Sequence, residues 1–346
     1  MPELPEVETV RIGLSELLPG RAITHVEHDW PKSFPNAEAD VQEFLIGAKI
    51  LYVKRRAKVL IIELNTKYSL IVHLKMTGQL VFRSDDDKTR FGAGHPNNSL
   101  ISELPDKSTR VVLYLEDEIA SASESSARKQ RSAEQPVQGV QSVSTGAADT
   151  AVDQERWRSF GPRPKAGQSG AKLFFNDQRK FGWMRLVPTT EIPNIDFFKK
   201  IGPEPLSSEF TSDKFASRLN LRPNSGIKAV LLDQTIIAGV GNIYADESLF
   251  AAKIHPETKV QDISMANLTK LFDELIAVLK LSIEKGGSSD RNYVDARGRR
   301  GSYLSFAQVF RKDGQPCPRC GTIIVKIRVA GRGTHICPVC QLKPKA

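Results

Sequence analysis

Apolar residues near the amino terminus recur at the spacing of a helix. Val7, Val10, Leu14 and Leu17 are three or four positions apart, which places them on one helical face. Pro5 precedes them and suits the first turn of a helix, where its missing N–H costs no hydrogen bond. The pattern therefore predicts a helix that begins close to Pro5.

Between residues 49 and 83 the pattern changes to short apolar and β-branched runs separated by polar turns, which is typical of strands. Similar runs follow beyond residue 110. The predicted strands cover 50–53, 59–62, 70–72, 110–115, 173–176 and 182–187. Several short strands joined by turns favour an antiparallel sandwich or barrel.

A long segment in the middle of the chain lacks the residues that build a core. No aromatic residue occurs between Tyr114 and Trp157, where serine, alanine, glutamine, glutamate and glycine dominate. Such a composition buries too little apolar surface to offset the entropy lost on ordering. We therefore predict a disordered, low-complexity insertion over about 117–170, between two strands.

Beyond residue 203 the hydrophobic period becomes helical. One helix is predicted from Ile227, and a longer one over 268–283 that Gly286 and Gly287 end. Between them, the stretch 239–242 (Gly-Val-Gly-Asn) precedes a further helix. Two glycines before a helix let backbone N–H groups approach an anion, although ordinary packing of a turn on a helix has the same pattern. Strands followed by helices predict an α+β protein with several domains.

At 346 residues the chain is long enough for two or three domains with a substantial core. It has no run of about eighteen apolar residues, so no membrane-spanning helix is expected. The amino terminus carries charges where a signal peptide needs an apolar stretch. These features favour an intracellular protein without membrane partners.

The net charge of +9 is concentrated at the carboxyl end. Residues 285–346 contain 13 Lys and Arg against 3 Asp and Glu, a net charge of +10, and the other 36 basic and 37 acidic residues leave −1 for the rest. A localised basic block suits a polyanion such as nucleic acid. A solvated basic tail is the alternative.

All four cysteines lie in this basic block, as Cys317-x2-Cys320 and Cys337-x2-Cys340 with sixteen residues between the pairs. Two such pairs are typical of a tetrahedral site in which four thiolates bind one structural Zn²⁺. Two disulfides are the alternative, which an intracellular compartment disfavours. Because four protein ligands leave no open position, the zinc ion would stiffen a small hairpin and take no part in chemistry.

The first residues contain a candidate nucleophile and a candidate acid. Removal of Met1 would leave Pro2 with a cyclic secondary amine, which condenses with an aldehyde-like carbon to a cationic iminium. An α-amino group titrates near ~8, against ~10.4 for a lysine, so a useful fraction is unprotonated at neutral pH. The Glu3 carboxyl is the next side chain and can move protons. A frayed terminus before an ordinary helix would contain the same residues.

Taken in order, these motifs resemble those of the formamidopyrimidine-DNA glycosylase family, which forms a superfamily of base-excision repair enzymes with the endonuclease VIII group. The matching stretches are 2–9, 55–58, 73–78, 176–182, 201–206, 239–247 and the four-cysteine finger. Leu4 and Pro5 favour the formamidopyrimidine branch. The resemblance implies an amino-terminal two-sheet β-sandwich, a helix–two-turn–helix domain and a zinc finger, with DNA in the cleft between them.

On this resemblance we expect three domains. Residues 1–200 would form the catalytic β-sandwich, interrupted by the insertion at 117–170, and residues 201–290 the helix–two-turn–helix DNA-binding domain. Residues 291–346 would form the lesion-covering loop and the four-cysteine zinc finger. The expected partner is double-stranded damaged DNA, bound by a monomer because DNA would occupy the cleft asymmetrically.

The resemblance also assigns roles to individual residues. Pro2 would attack C1′ of the damaged nucleotide, and Glu3 would protonate the sugar ring oxygen. Lys58 matches a lysine linked to β-elimination and lesion contact, and Arg332 matches a finger arginine linked to phosphate binding and δ-elimination. The residues expected at the DNA are Glu6, Met76, Arg110, Arg179, Phe181, Lys228, Asn242, Tyr244 and Glu247.

Three members of that set, Met76, Arg179 and Phe181, match the side chains that fill the space left by an extruded base. A thioether and a ring would replace lost stacking, and the guanidinium would hydrogen-bond the orphaned partner base. A damaged base has to be extruded because its sugar carbon is inaccessible within a stacked helix.

Another part of the set lies at the glycine turn. Lys228 and Asn242 would hold phosphates beside the lesion, with Tyr244 and Glu247 supporting that turn. The arginine-rich segment 287–303 should contain the loop that covers the flipped base.

The expected activity is that of a bifunctional glycosylase and abasic-site lyase that removes oxidised purines, such as 8-oxoguanine and formamidopyrimidines, and cuts the strand by β,δ-elimination. Two alternatives stay open: an endonuclease VIII-like preference for oxidised pyrimidines, and a zinc protein that binds damaged DNA without cutting it. Retention of Met1 would favour the second alternative, because an acylated Pro2 nitrogen cannot form the iminium.

Overall fold

The structure is a computed structural model that describes residues 2–85, 89–94, 103–117, 157–162, 170–288 and 302–343. Most of the insertion expected at 117–170 lies outside the described residues, as does most of the segment 287–303. The described residues form an amino-terminal helix with two β-sheets, a helical domain, and a β-hairpin flanked by the four cysteines.

The first helix, α1 (Leu4–Leu17), confirms the prediction from the amino-terminal periodicity. Its buried face contains Val7, Val10 and Leu14, which join the core between the sheets. At the start of α1 the Glu6 carboxylate accepts the backbone N–H of Glu3 at 2.8 Å. This bond satisfies one of the N–H groups that a helix start leaves unpaired.

Two antiparallel sheets follow α1, with the one-turn helix α2 (Glu38–Asp40) between their first strands. The strands are β1 (Ala22–His28), β2 (Ile50–Arg56), β3 (Val59–Leu64), β4 (Tyr68–His73), β5 (Gly78–Ser84), β6 (Arg90–Gly94), β7 (Thr109–Glu116), β8 (Arg158–Phe160), β9 (Ala171–Asp177) and β10 (Trp183–Pro188). Their order is β6-β5-β9-β7-β1-β8 in one sheet and β10-β4-β3-β2 in the other. All the predicted strands are present, and β1, β5, β6 and β8 are additional to them.

The two sheets enclose the core of the amino-terminal domain. Leu60, Val72 and Met184 from one sheet belong to the same buried cluster as Leu113 and Phe175 from the other, and α1 contributes its apolar face. This arrangement confirms the predicted β-sandwich.

One short strand lies inside the predicted insertion. β8 pairs with β1, where Phe160 is opposite Val26, and forms an edge of the six-stranded sheet. Phe160 also stacks on His28, with ring centroids 5.9 Å apart. Trp157 packs against the outer face of the same sheet. The expectation of disorder therefore does not hold for 158–160, because this end of the segment brings aromatic surface to the sheet.

The second domain is helical, as its periodicity predicts. Its helices are α3 (Asp196–Lys200), α4 (Ser212–Leu219), α5 (Ile227–Leu232), α6 (Asn242–Ala252) and α7 (Met265–Glu284). Leu271, Leu275 and Leu279 of α7 pack with Phe215 of α4 and Leu249 of α6. Because α1 packs on α7, the first residues of the chain lie between the two domains.

The carboxyl-terminal hairpin packs on the helical domain, after the short helix α8 (Tyr303–Phe306). Its strands are β11 (Val325–Val329) and β12 (Arg332–Ile336). Phe250 of α6 shares a buried cluster with Val309, Ile324 and Cys337. Across the described parts of the chain, no helix combines the length and apolarity needed to span a membrane.

Candidate active site and DNA interface

The amino-terminal residues lie against the glycine turn that precedes α6. The backbone N–H of Leu4 donates to the carbonyl of Gly239 at 3.1 Å, and Pro2 and Glu3 are buried. A Cβ at Gly241 would lie 2.4 Å from both carboxylate oxygens of Glu3. Gly239 has a φ of +83°, which favours glycine. The turn therefore admits the amino-terminal segment because its two glycines have no side chains.

The Glu3 carboxyl is buried with few hydrogen-bond donors. One oxygen accepts the backbone N–H of Ile243 at 3.3 Å, and the other has no partner within the described residues. Burial raises the pKa of Glu3 from its ordinary 4.5 to about 7, although the nearby Lys58 opposes the rise. Near neutral pH this carboxyl can therefore hold a proton and release it.

The Glu6 carboxylate, one turn further along α1, has several donors. Besides the backbone N–H of Glu3, it accepts the Tyr244 hydroxyl at 2.5 Å and the backbone N–H of Ser288 at 2.7 Å. Burial and the neighbouring Glu6 raise the pKa of Tyr244, so its hydroxyl keeps its proton. These contacts give Glu6 and Tyr244 a holding role between α1 and α6.

Lys58 lies in the two-residue turn between β2 and β3, where Ala57 has a positive φ of 52°. Its ammonium group is buried and donates to the carbonyl of Val240 at 3.0 Å. Burial lowers the pKa of Lys58, while the charges of Glu3 and Glu6 oppose that change. The structure thus brings the predicted lysine and the predicted acid to one enclosure.

The two arginines before Lys58 bind carboxylates of the protein. Arg55 pairs with Glu8 at 2.7 Å and with Glu204 at 2.8 Å, and Arg56 pairs with Glu204 at 2.9 Å. Glu204 also accepts the backbone N–H of Ala57. Because Glu8 lies on α1 and Glu204 lies in the helical domain, this cluster ties the Lys58 turn to both domains.

Lys228 and Asn242 contact the finger strand β12. The Lys228 ammonium is fully buried and donates to Asp246 at 2.5 Å and to the Thr334 hydroxyl at 2.6 Å. The Asn242 amide donates to the carbonyl of Gly333 at 3.0 Å. The phosphate contacts expected for this pair stay a prediction, and for Lys228 such a contact requires a rearrangement of its present bonds.

Glu247 holds the chain that leads into the finger. Its carboxylate accepts the backbone N–H groups of Gln308, Val309 and Phe310 at 2.8, 2.9 and 2.8 Å. Burial raises the pKa of Glu247, and these three donors oppose the rise. Its contacts are thus structural ones, and a contact with DNA stays a prediction.

Two exposed loops carry the side chains expected to replace an extruded base. Met76 is 37% exposed and Phe181 is 53% exposed, and the Arg179 guanidinium lies 4.8 Å from the centre of the Phe181 ring. The Asp177 carboxylate accepts the backbone N–H of Phe181 at 2.7 Å and the hydroxyl of Thr77, next to Met76. One carboxylate therefore joins both loops, and their tips face solvent.

Arg110 has a different environment from the other residues expected at DNA. Its side chain is 3% exposed and pairs with Asp29 at 2.5 Å. It also donates to the carbonyls of Asp177 at 2.9 Å and Lys107 at 2.6 Å. Arg110 thus supports the base of the Phe181 loop from inside, and its own contact with DNA stays a prediction.

The four cysteines fit one zinc ion. Their sulfur atoms all lie within 4.8 Å of one another, with separations of 3.5 Å for Cys320 and Cys337 and 3.9 Å for Cys317 and Cys340. A tetrahedron with Zn–S bonds of about 2.3 Å has sulfur–sulfur edges of about 3.8 Å. The finger is therefore a structural zinc site, and with four thiolate ligands the ion has no open coordination position.

Three family descriptions match this chain. The formamidopyrimidine-DNA glycosylase N-terminal domain matches residues 1–131, and the formamidopyrimidine-DNA glycosylase H2TH domain matches residues 201–293. The zinc finger found in FPG and IleRS matches residues 314–342. The chain belongs to the formamidopyrimidine-DNA glycosylase family.

The similarity to members of this family extends over the full chain. This chain is 35% identical over 342 residues to the formamidopyrimidine-DNA glycosylase of Pelotomaculum thermopropionicum, with 99% of each chain covered. It is 36% identical over 343 residues to that of Herpetosiphon aurantiacus, with 99% of this chain and 100% of the relative covered. A crystal structure of wild-type Lactococcus lactis Fpg (MutM) with DNA containing N7-benzyl-Fapy-dG matches with a TM-score of 0.73 and 31% identity, covering 99% of this chain and 100% of that one.

In this member of the formamidopyrimidine-DNA glycosylase family, three acidic residues have contacts that the sequence did not reveal. Asp177 builds the Phe181 loop, Glu204 holds the Lys58 turn, and Asp246 pairs with Lys228. All three lie within motifs that carried the resemblance. Their position inside those motifs was the available signal, but the partners come from distant parts of the chain.

Proposed function

We propose that this protein is a DNA repair glycosylase that removes oxidised purines from double-stranded DNA and then cuts the strand at the abasic site, acting as a monomer. Its family membership supports glycosylase activity. The Lactococcus lactis relative in complex with DNA that contains N7-benzyl-Fapy-dG supports a ring-opened purine as substrate. The basic carboxyl-terminal block supports binding to a polyanion.

Base removal begins at Pro2. After loss of Met1, the Pro2 nitrogen forms a bond to C1′ of the damaged nucleotide as the bond from C1′ to the base breaks. The departing base takes the electron pair of that bond and the proton that the Pro2 nitrogen loses. Glu3 donates a proton to the sugar ring oxygen as the ring opens, and the C1′–nitrogen bond becomes a cationic iminium. A carboxyl group with a pKa of about 7 is suited to this donation at neutral pH.

Strand cleavage follows from the iminium, which acts as an electron sink. It acidifies the C2′ proton, so that loss of this proton expels the 3′ phosphate by β-elimination. A second, δ-elimination expels the 5′ phosphate and leaves a one-nucleotide gap. Lys58 serves the first elimination and the lesion contact, and Arg332 binds phosphate and serves the second.

The damaged nucleotide has to leave the base stack before this chemistry. Met76 and Phe181 replace the lost stacking, and Arg179 hydrogen-bonds the orphaned partner base. Their exposure on two loops joined by Asp177 supports this role. Stacking of one aromatic side chain on a base contributes about 1–3 kcal/mol.

One observation carries the proposal: the carboxyl group next to Pro2 is buried, titrates near neutral pH, and has one oxygen without a partner in the described parts of the chain. A carboxyl with only a structural role would be expected to have its oxygens paired. This group instead has an oxygen available for substrate.

Borohydride trapping tests the covalent step. The mature protein should form a reduced adduct with lesion-containing duplex DNA, and Pro2→Gly should lower its yield strongly, because it replaces the cyclic secondary amine by an unrestrained primary amine. Pro5→Ala changes a proline of α1 that cannot reach the reaction as an amine, so it should still form the adduct. Normal trapping by Pro2→Gly, or by protein that retains Met1, would refute the mechanism.

A comparison of substrates tests the lesion class. Release of 8-oxoguanine should exceed release of thymine glycol from otherwise identical duplexes. Faster release of thymine glycol would support endonuclease VIII-like activity. Tight binding of both duplexes without release of either base would support a protein that only recognises damage.

A further inference from the structure

Helix α6 binds the finger strand β12 through side chains on one of its faces. Asn242 and Asp246 are four residues apart, so they lie on the same face of the helix. The Asn242 amide donates to the carbonyl of Gly333, and an oxygen of Asp246 accepts the backbone N–H of His335 at 3.0 Å. Four helical residues rise about 6 Å and two strand residues about 6.8 Å, so the two spacings match.

The other oxygen of Asp246 accepts from Lys228 at 2.5 Å. Lys228 also donates to the Thr334 hydroxyl at 2.6 Å, so a single buried ion pair fixes the residue between Gly333 and His335. Both charged side chains are fully enclosed. Removal of one partner of such a pair leaves a buried charge without compensation.

The held residues adjoin Arg332. In the hairpin, Val329 is opposite Arg332, and the two turn residues Ala330 and Gly331 have positive φ angles of 50° and 74°. Such a tight turn restricts the backbone of Arg332 relative to Gly333.

Arg332 is exposed, and its charge reaches the catalytic enclosure. Burial of Lys58 is the main cause of its lowered pKa, and repulsion from the Arg332 charge contributes to it. The distance from Arg332 to Lys58, and so this repulsion, therefore depends on how firmly β12 is fixed to α6.

We propose that Asp246 is a positioning residue for strand cleavage, because its two oxygens fix Lys228 and β12 and thereby hold Arg332 over the abasic sugar and its phosphates. This inference rests on the proposed function, in which Arg332 serves δ-elimination. It gives Lys228 a role inside the protein, where it anchors the finger. The role of Asp246 thus differs from that of its neighbour Glu247, which holds the chain before the finger.

The test compares Asp246→Asn with the wild-type zinc-loaded protein on a duplex containing 8-oxoguanine, with enzyme in excess. The measurements are base release, zinc content and the ratio of the 3′-phosphate product to the unsaturated aldehyde that β-elimination leaves. We expect the 3′-phosphate fraction to fall about tenfold, since a displacement of about 1 Å can cost up to about 100-fold in rate. Base release should fall less than about threefold, and zinc should be retained.

Asp273→Asn is the matched control, because it removes the same charge from an exposed position on α7. It should leave the product ratio at the wild-type value. If Asp246→Asn does not fold, the pair Lys228→Met with Asp246→Asn removes both charges. Thr334→Val removes the hydroxyl, which accepts from Lys228 and donates to the carbonyl of Arg332 at 3.2 Å. Both should shift the product ratio in the same direction.

An unchanged product ratio in folded, zinc-containing Asp246→Asn would overturn the inference. Equal losses of base release and of both cleavage steps would also overturn it, because a general loss of structure would explain them. Arg332→Ala separates this failure from failure of the proposed function. If Arg332→Ala lowers the 3′-phosphate fraction and Asp246→Asn does not, only the role of Asp246 is wrong. If Arg332→Ala has no effect, the proposed role of Arg332 is wrong.

Discussion

The pocket at the start of α1 and the side of α6 that holds the chain before the finger each contain a buried glutamate, and the two differ in their hydrogen-bond donors. Glu247 on α6 accepts three backbone N–H groups at 2.8–2.9 Å. Glu3 accepts one at 3.3 Å, and its second oxygen has no partner within the described residues. Burial raises the pKa of both carboxyl groups, to about 7 for Glu3.

This difference shows that burial alone does not identify a catalytic acid. A buried carboxylate with a full set of donors is a holding group, because each donor stabilises one fixed arrangement. When one oxygen of a buried carboxyl has no donor, the charged form is less stable, so the group can exchange a proton with a substrate near neutral pH. The two glutamates should therefore respond to the same substitution in opposite ways.

The largest effect is expected for Glu3→Gln. Base excision should fall by about 10²–10⁴-fold, the usual contribution of a general acid, while cleavage of a preformed abasic site should fall much less. Single-turnover assays on the two substrates measure both rates. Glu16→Gln, at an exposed position on the same helix, is the matched control. Equal losses on the two substrates would contradict the role of Glu3.

The pH profile gives a second test of the same pocket. Because the pKa of Glu3 is about 7, the acid loses its proton as pH rises through 7, and the excision rate should fall with it. The pKa of Glu3 rises on folding from 4.5 to about 7. Burial of its charged form therefore does not lower the stability of the fold below pH 4.5 and lowers it fully above about pH 7. At pH 8 Glu3→Gln should therefore be no less stable than the wild type, and a clear loss of stability would argue for a holding role.

An intermediate effect is expected for loss of the zinc site. Cys317→Ser should lower zinc content and weaken duplex binding by on the order of tenfold, because the finger carries several of the positive charges that meet phosphates. The salt dependence of binding should become shallower, which a titration at several salt concentrations measures. Undiminished affinity in zinc-free protein would remove the finger from DNA binding.

The smallest effect on chemistry is expected for Glu247→Gln. A glutamine cannot accept from all three backbone N–H groups, so the free energy of unfolding should fall by about 1–3 kcal/mol. Urea denaturation measures this change, with Glu209→Gln at an exposed site as the control. The pH at which excision declines should stay where it is in the wild type. A displaced pH profile would mean that the two glutamates are not distinct in function.

Much of the fold followed from local patterns. The spacing of Val7, Val10 and Leu14 predicted α1, and the β-branched runs predicted six of the strands. β1 and β6 were not predicted, since β6 contains two glycines and four of the seven residues of β1 are polar or charged. The pairing of β1 with the distant strands β7 and β8, and of β6 with β5, supplies the stability that their composition lacks.

For the candidate site, the sequence predicted the residues but not all of their environments. Pro2, Glu3 and Lys58 were named from motifs, and the structure brings Glu3 and Lys58 to one enclosure. Lys228 was expected at a phosphate, yet it lies inside the protein with Asp246. The sequence could not show this pairing, because a lysine near a glycine turn suits either environment.

The sequence by itself determined the helical and strand periods, the ligands of one zinc ion and the motifs of a glycosylase family, because each depends on residues close together in the chain. Only the tertiary structure decided which buried carboxyl groups have enough donors and which do not. The reason is physical: desolvation and hydrogen-bond partners come from segments far apart in sequence, as with Asp246 and His335. A side chain's titration and function depend on those distant neighbours.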